Sequence, residues 1–252
     1  MPISVVINTY NAQEHLVEVL ESVKDFDEIL ICDMQSTDDT LNIAKRYGCK
    51  IVTFYEKCNI VEPARNFAIG SATHEWVLVV DADEIVTPEL REYLYERIKQ
   101  PDCPKGLFIS RVNMYMGRFM KNWDHNFLLR FVSRDNTDWP STIHAIPKIN
   151  GTVERAPAKL CMYHLSDMTV QQYVGKMNDY TDNEMVRKAK KNYGIGAMFY
   201  RPLWRFFRVY FLEGYFMSGG RGFIKSCMAG IYQAIIVAKI LEKRYRDEDK
   251  KR

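Results

Sequence analysis

Four short apolar runs, each followed by an amphipathic segment, fill the first hundred residues of this chain. That rhythm limits its fold more than any other feature. Ile3 to Asn8, Glu28 to Cys32, Lys50 to Tyr55 and Trp76 to Val80 read as strands, being short, rich in β-branched residues and charged only at their ends. Helices are predicted over 12–23 with Asn11 as N-cap, over 37–47 stopped by Gly48, over 63–71 opened by Pro63, and over 88–99. Such alternation predicts an α/β fold with a parallel sheet covered by helices on both faces.

From Lys105 to Tyr163 the pattern changes to short strands with Gly, Asn and Pro turns, so the sheet is expected to become mixed there. A polar amphipathic helix is predicted from Met168 to Lys191. Aromatic residues then crowd between Phe199 and Phe216, interleaved with Arg201, Arg205 and Arg208. Gly219-Gly220-Arg221-Gly222, an apolar helix from Phe223 to Leu241 and a charged tail complete the chain. Only Ser226 to Ala238 is free of charge, roughly 20 Å of helix against about 30 Å of hydrocarbon, which is too short to cross a bilayer. Two readings of this aromatic and basic C-terminal extension stay open: a layer packed inside the protein, or an element lying on a membrane surface.

Composition excludes some classes. At 47% hydrophobic and 27% charged over 252 residues, the chain is an ordinary globular one rather than a disordered one. A net charge of +3 gives no reason to expect a nucleic-acid partner. The cysteines at 32, 49, 58, 103, 161 and 227 show no C-x-x-C or Cys/His spacing, so reduced thiols in a cytoplasmic setting are expected. Met1-Pro2-Ile3-Ser4-Val5 runs straight into a strand, so no signal peptide is expected.

The chemistry gathers at strand ends. Asp81-Ala82-Asp83 closes the fourth strand, at the carboxyl edge where α/β sheets bind ligands. Paired carboxylates there suit Mg²⁺ or Mn²⁺ with phosphate oxygens completing the shell. The tripeptide also suits a capped turn, since Glu84 and Thr87-Pro88-Glu89 resemble helix-capping residues. Thr9-Tyr10-Asn11 follows the first strand with Glu14 close behind, Asp33 to Thr40 follows the second, and Arg65 lies beyond the third. Asp33 can accept a uracil-like N–H, or with Ser36 form an Asx-turn; Arg65 can pair with a phosphate or remain a surface charge.

The runs S-V-V-I-N-T-Y-N-A (4–12), E-I-L-I-C-D-M-Q-S-T-D-D-T (28–40), A-R-N (64–66) and V-V-D-A-D-E (79–84) resemble glycosyltransferase family 2. Leu129 to Arg134, Tyr163 to Ser166, Lys176 to Thr181 and the Arg-aromatic C-terminus extend the likeness to the subgroup of lipopolysaccharide core β-glucosyltransferases. The resemblance implies a GT-A fold: a Rossmann-like, mixed but mostly parallel sheet flanked by helices. It implies a catalytic domain over 1–165, with a nucleotide-sugar-binding half (1–100) and an acceptor half (101–165), followed by a C-terminal helical, membrane-associating region over 166–252.

The family implies a nucleotide-sugar donor, UDP-linked above all, and a glycan or glycolipid acceptor. Thr9, Tyr10, Asn11 and Glu14 would border the nucleoside, Asp33 with Ser36 would serve the base, and Arg65 a phosphate or the ribose region. Asp83 would bind Mg²⁺ or Mn²⁺ directly, Asp81 would hold the ribose or a metal-bound water, and His164 is a further ligand for the metal or the diphosphate. Inversion by direct displacement needs a base. Many relatives carry His-Glu where this chain has His144-Ala145, so His144, Asp138 and Asp124 are the alternatives for that role. Attachment through 199–245 would make the protein peripheral on the cytoplasmic face of the inner membrane. Two rivals remain at this point: a nucleotidyltransferase acting on a sugar phosphate, and a non-catalytic membrane-binding module.

Overall fold

A computed structural model describes residues 1–56, 61–120, 126–140, 147–188 and 193–250. The chain divides into two compact units, one of residues 1–113 and 125–166, the other of 114–124 and 167–252.

The first unit opens with β1 (Ile3–Thr9), α1 (Leu16–Val23), β2 (Glu28–Asp33), α2 (Thr40–Arg46), β3 (Lys50–Thr53), α3 (Glu62–Ser71) and β4 (Trp76–Asp81). It continues through β5 (Glu84–Val86), α4 (Pro88–Arg97) and β6 (Gly106–Tyr115), whose last two residues join the second unit with β7 (Arg118–Phe119). β8 (Asn126–Ser133), β9 (Thr137–Asp138), β10 (Lys148–Ile149), β11 (Val153–Arg155) and β12 (Cys161–His164) complete it. The main sheet has the order β3-β2-β1-β4-β8-β6-β12-β5. β1 to β4 are parallel, β8 runs against both β4 and β6, and β12 is parallel to β6 but antiparallel to β5. The expected mixed, mostly parallel sheet is therefore present.

Every residue of β1 is buried, as a central parallel strand with helices on both faces requires. Ile3, Val5 and Ile7 face Leu16 and Leu20 of α1 and Leu90 and Leu94 of α4, whereas Val6 and Leu30 face Ala64 and Ala68 of α3. Trp76 stacks on Phe131 across the β4–β8 pair, ring centroids 5.3 Å apart. Two helices begin later than the sequence suggests, α1 at Leu16 and α2 at Thr40. The residues before them are laced together instead. Ala12 donates its N–H to Thr40 Oγ1 (2.8 Å), Gln13 to Asp38 Oδ2 (3.1 Å), and Asp39 to Gln13 Oε1 (2.9 Å). Polar side chains here outbid the helix for backbone donors. The described cysteines are all free thiols.

The second unit holds α5 (Val170–Lys188), α6 (Ala197–Phe207) and α7 (Gly219–Asp249). The turn between β6 and β7 joins it because Met116 and Gly117 both donate N–H groups to the Asp167 carboxylate, at 2.7 and 2.5 Å. Both turn residues are left-handed, with φ 53° and 76°, which suits Gly117 and strains Met116. Residues 114–120 group with the second unit.

The last helix is also longer than the expected 223–241. It runs 31 residues, about 46 Å. From Tyr215 onward this stretch is long and apolar enough, by length and composition, to cross a membrane, and 39% of its apolar window is buried inside the protein. Counting only charge-free residues understated it, because Lys225 and Lys239 lie within a continuous helix. The buried part, including Ile236, Val237, Ile240 and Leu241, packs with Tyr193 and Ala197. Close approach depends on two glycines: a Cβ at Gly222 would lie 1.8 Å from the Tyr215 carbonyl oxygen, and one at Gly230 3.0 Å from that of Pro202.

Candidate functional site

Strand register gathers the predicted residues of the first unit. Thr9 lies opposite Asp33 in the β1–β2 pair, and Asn8 opposite Asp81 in the β1–β4 pair. The strand order reverses between β1 and β4, where α/β sheets open a crevice at their carboxyl edge.

On the β2 side, Asp33 is 1% exposed and accepts three hydrogen bonds: Thr9 Oγ1 (3.0 Å), the Ser36 N–H (2.9 Å) and Ser36 Oγ (2.6 Å). Asn11 closes the same knot, donating its N–H to Ser36 Oγ (2.9 Å) and accepting the Thr37 N–H on its side-chain oxygen (2.8 Å). Asn11 and Gln35 hold left-handed backbones, φ 49° and 66°, to make these contacts. Asp33 does bond Ser36, but through the N–H three residues on rather than the two of an Asx-turn, and it anchors this loop. A carboxylate offers about four lone-pair sites, so one remains for a further donor. Tyr10 is 65% exposed beside it, and Glu14 is an exposed neighbour of His15.

On the β4 side, Asp81 is bound by arginines. Arg65 Nη2 donates to Asp81 Oδ1 (2.6 Å), while Arg130 donates from Nη1 to Oδ1 (3.2 Å) and from Nη2 to Oδ2. Arg130 Nη2 also reaches Glu84 Oε1 (2.7 Å), which takes Arg111 Nη1 at 3.2 Å. Glu84 Oε2 accepts the Asp81 N–H at 3.0 Å. Burial alone would raise the Asp81 carboxyl, but the charges of Arg130 and Arg65 outweigh it and hold it well below the ordinary carboxylate value. Burial depresses Arg65, and the Asp81 charge only partly restores it. For Arg130 burial acts downward too, yet Asp81 and Glu84 together raise it. Three guanidiniums meet the carboxylates of Asp81 and Glu84 here, and Glu62 brings a third carboxylate to the same cleft, so the charges balance. A cleft of about 360 Å³ opens beside them, lined also by Phe108, Phe127 and Trp139. Arg65 lies over the Trp139 ring at 4.8 Å.

Asp83 points elsewhere. Its Oδ2 is 3.1 Å from His164 Nε2, and its carbonyl accepts the Leu165 N–H at 2.8 Å, so β5 and β12 carry the pair into contact. Both side chains are partly exposed, at 31% and 20%. One carboxylate oxygen and one imidazole nitrogen fit a divalent cation whose remaining ligands are phosphate oxygens and waters. No group of three such side chains occurs among the described residues, so the protein would supply only part of a metal's shell. Asp81, with both oxygens on arginines, stands apart from this pair.

Of the three residues considered for the base, His144 and Asp124 lie outside the described residues. Asp138 is exposed; its Oδ1 accepts Asn66 Nδ2 at 3.2 Å, and Asn66 Oδ1 in turn accepts the Trp139 N–H at 2.7 Å. That clamp sets Asp138 next to the cleft-lining Trp139. Arg111 and Trp139 were not singled out from sequence, and Glu84 only as a capping residue. Thr87 does cap α4, accepting the Leu90 N–H at 3.2 Å, but Glu84 is a fully buried strand residue. The available signal was a lone arginine inside each of two apolar strands, G-L-F-I-S-R-V and F-L-L-R-F-V. Such a charge must find a buried partner.

Residues 4–153 match the model of Glycosyl transferase family 2. The chain is 27% identical to an uncharacterized glycosyltransferase of Rickettsia typhi, over 95% of this chain and 87% of that one. It is 26% identical to the lipopolysaccharide core biosynthesis glycosyltransferase LpsC of Rhizobium meliloti, over 96% and 93%. Among solved structures it is similar in fold to S. aureus TarS 1-349 in complex with UDP-GlcNAc, with a TM-score of 0.54, 17% identity, and coverage of 93% of this chain and 82% of that one.

Proposed function

The chain belongs to glycosyl transferase family 2, and on that premise we propose that it moves a sugar, with inversion, from a UDP-linked donor to a hydroxyl of a glycan or glycolipid such as a lipopolysaccharide core. The observation that carries this reading is the convergence on one sheet edge of the Asp33 knot and the Asp83–His164 pair, on opposite sides of the strand-order reversal. The fold likeness to a protein solved with UDP-GlcNAc supports the choice of donor, and the likeness to LpsC supports the choice of acceptor.

In this reading Asp33 offers its remaining lone pair to the base, while Thr9, Asn11 and Ser36 keep its carboxylate in place and Tyr10 and Glu14 border the nucleoside. Asp83 and His164 would hold Mg²⁺ or Mn²⁺, which supplies positive charge where the diphosphate leaves. Asp81, fixed by Arg65 and Arg130, presents a rigid acceptor to sugar or ribose hydroxyls. The acceptor hydroxyl attacks the anomeric carbon opposite the leaving diphosphate, and Asp138 takes its proton. Asp81 is unsuited to that task, because its carboxylate is already engaged and weakly basic.

The reading extends to a peripheral position on an anionic bilayer at the cytoplasmic face of the inner membrane. α6 supports this, exposing Phe199, Leu203, Trp204 and Phe207 among Arg201 and Arg205, a pattern suited to lipid headgroups.

A thermal-shift screen with UDP-, GDP- and dTDP-sugars in MnCl₂, on wild type and Asp83→Ala, tests the proposal. A UDP-sugar is expected to raise Tm in the wild type and far less in the variant, since ligand binding stabilises by mass action. No shift with any donor, or equal shifts in both proteins, overturns it.

A further inference from the structure

A cleft of about 580 Å³ in the second unit has no part in the chemistry above. Tyr173 of α5, Arg201, Trp204, Arg205 and Arg208 of α6 and its continuation, and Tyr232 of α7 line it. Arg201 donates to Gln233 Oε1 at 3.1 Å and lies 4.7 Å over the Tyr193 ring, but its Nε is buried without a partner among the described residues. Arg205 and Arg208 share one acid, Glu213, at 3.2 and 3.3 Å. Beside them Lys225 sits over the rings of Tyr115 (5.0 Å) and Tyr173 (5.8 Å), with no carboxylate against it among the described residues. Burial first, then the neighbouring Arg205 charge, lowers the Lys225 ammonium below its ordinary value. Three guanidiniums and one acid, Glu184, thus line a cleft walled by aromatic rings, with Glu213 paired to two of the arginines and Lys225 nearby.

We propose that this cleft is a binding site for the phosphate group of an anionic amphiphile, held by Arg201, Arg205 and Arg208 with its apolar part against Trp204 and the exposed rings of α6. Guanidiniums are the donors best matched to phosphate oxygens, and several share the work here. The aromatic rim accounts for an amphiphile rather than a free anion: Tyr200 and Trp204 are each 58% exposed at the cleft, and Leu203 on the same helix is 69% exposed. A phospholipid headgroup and a phosphorylated glycolipid acceptor share this chemistry. The inference deepens the surface-attachment reading, naming what the second unit grips there.

The test is calorimetric titration of the full chain with monomeric dihexanoyl phosphatidate, and separately with inorganic phosphate. The proteins compared are wild type, Arg201→Gln/Arg205→Gln, Arg208→Gln and Arg246→Gln. Arg208 is 55% exposed, so its loss reports on the cleft even if the double variant folds poorly. Arg246 is 74% exposed near the end of α7 and removes the same charge outside the cleft. Saturable binding of one phosphatidate per chain is expected, weakened roughly tenfold or more by the cleft substitutions and unchanged by Arg246→Gln. Absence of binding to the wild type, or equal weakening by Arg246→Gln, overturns the proposal. So does inorganic phosphate binding as tightly as phosphatidate, which marks a free-anion site. Cosedimentation with phosphatidylglycerol vesicles reads surface attachment separately: retained cosedimentation with a flat phosphatidate titration discards the cleft and keeps the attachment.

Discussion

Arg130 grips Asp81 with both terminal nitrogens of its guanidinium, while one of them also reaches Glu84. Arg130 is only 3% exposed and Glu84 not at all, so losing Arg130 leaves the buried Glu84 with Arg111 alone. Removing one partner of a buried pair leaves the other charge stranded, at a typical cost of 3–5 kcal/mol. Arg130→Met is therefore expected to lower stability by about 3 kcal/mol or more in urea denaturation. In a Glu84→Gln background the same substitution should cost distinctly less. Equal costs in the two backgrounds would show that the pair is uncoupled.

The Asp83–His164 contact predicts a shared ligand. Calorimetric titration of Mn²⁺ into the UDP-saturated protein should show one site, weakened by Asp83→Asn and, to a smaller degree, by His164→Ala. Both partners are partly exposed, so neither change should move Tm by more than a degree or two. Undiminished Mn²⁺ affinity in Asp83→Asn would remove Asp83 from the metal site.

How legible was all this? The parallel half was readable because strand and helix periods alternate cleanly, and Asp33, Asp81 and Asp83 were found because they end apolar runs. Their bonding was not. Nothing in D-A-D says that the first aspartate turns to Arg65 and Arg130 while the second turns to His164. Those partners come from α3, β8 and β12, brought close only by the sheet order. Glu84 looked like a cap because acids favour helix starts, whereas its burial against Arg111 and Arg130 depends on partners 27 and 46 residues away. The extent of α7 was missed for a different reason. Its first turn is a glycine-rich run that reads as a turn, and its last turns are a charged stretch in which Glu242 and Arg246 pair one helical turn apart.

Asp138 is the base in the reading above, positioned by Asn66. Asp138→Asn should lower kcat by roughly 10²–10⁴ with little change in donor KM, as loss of a general base does. Asn66→Ala should reproduce part of that loss. A variant with full kcat would return the role to His144 or Asp124.

Glu28 is one of the carboxylates that shape the acid side of the stability curve. It is 11% exposed at the start of β2 and accepts bonds from Ser4, Thr73 and Lys50. Burial would raise its carboxyl, but the Ser4 and Thr73 bonds prevail and bring it down to about 2. A depressed carboxylate contributes stability above its unfolded value near 4.5, and that contribution is lost as pH falls toward about 2. The contribution at neutral pH is on the order of 3 kcal/mol. The stability gap between wild type and Glu28→Gln should thus be full at pH 6 and shrink steadily between pH 4.5 and 2. A gap that stays constant over that range would assign the loss to packing.

Three glycines of α7 make an internally controlled test of its packing. A Cβ at Gly222 would overlap the Tyr215 carbonyl oxygen, which is backbone and cannot swing away. At Gly230 the nearest atom is the Pro202 carbonyl oxygen, at 3.0 Å, so α6 would have to retreat by a few tenths of an ångström. Gly220 has nothing within 4 Å. Alanine favours a helix over glycine by up to about 1 kcal/mol, so Gly220→Ala should hold or raise Tm. Gly230→Ala sets that same gain against overpacking of roughly 1–3 kcal/mol and should come out mildly destabilising. Gly222→Ala has no room to offset its clash and should lower Tm most. The order Gly220, Gly230, Gly222 is the readout in thermal unfolding. If Gly222→Ala melted no lower than Gly220→Ala, the Tyr215 turn would not press against α7 as described.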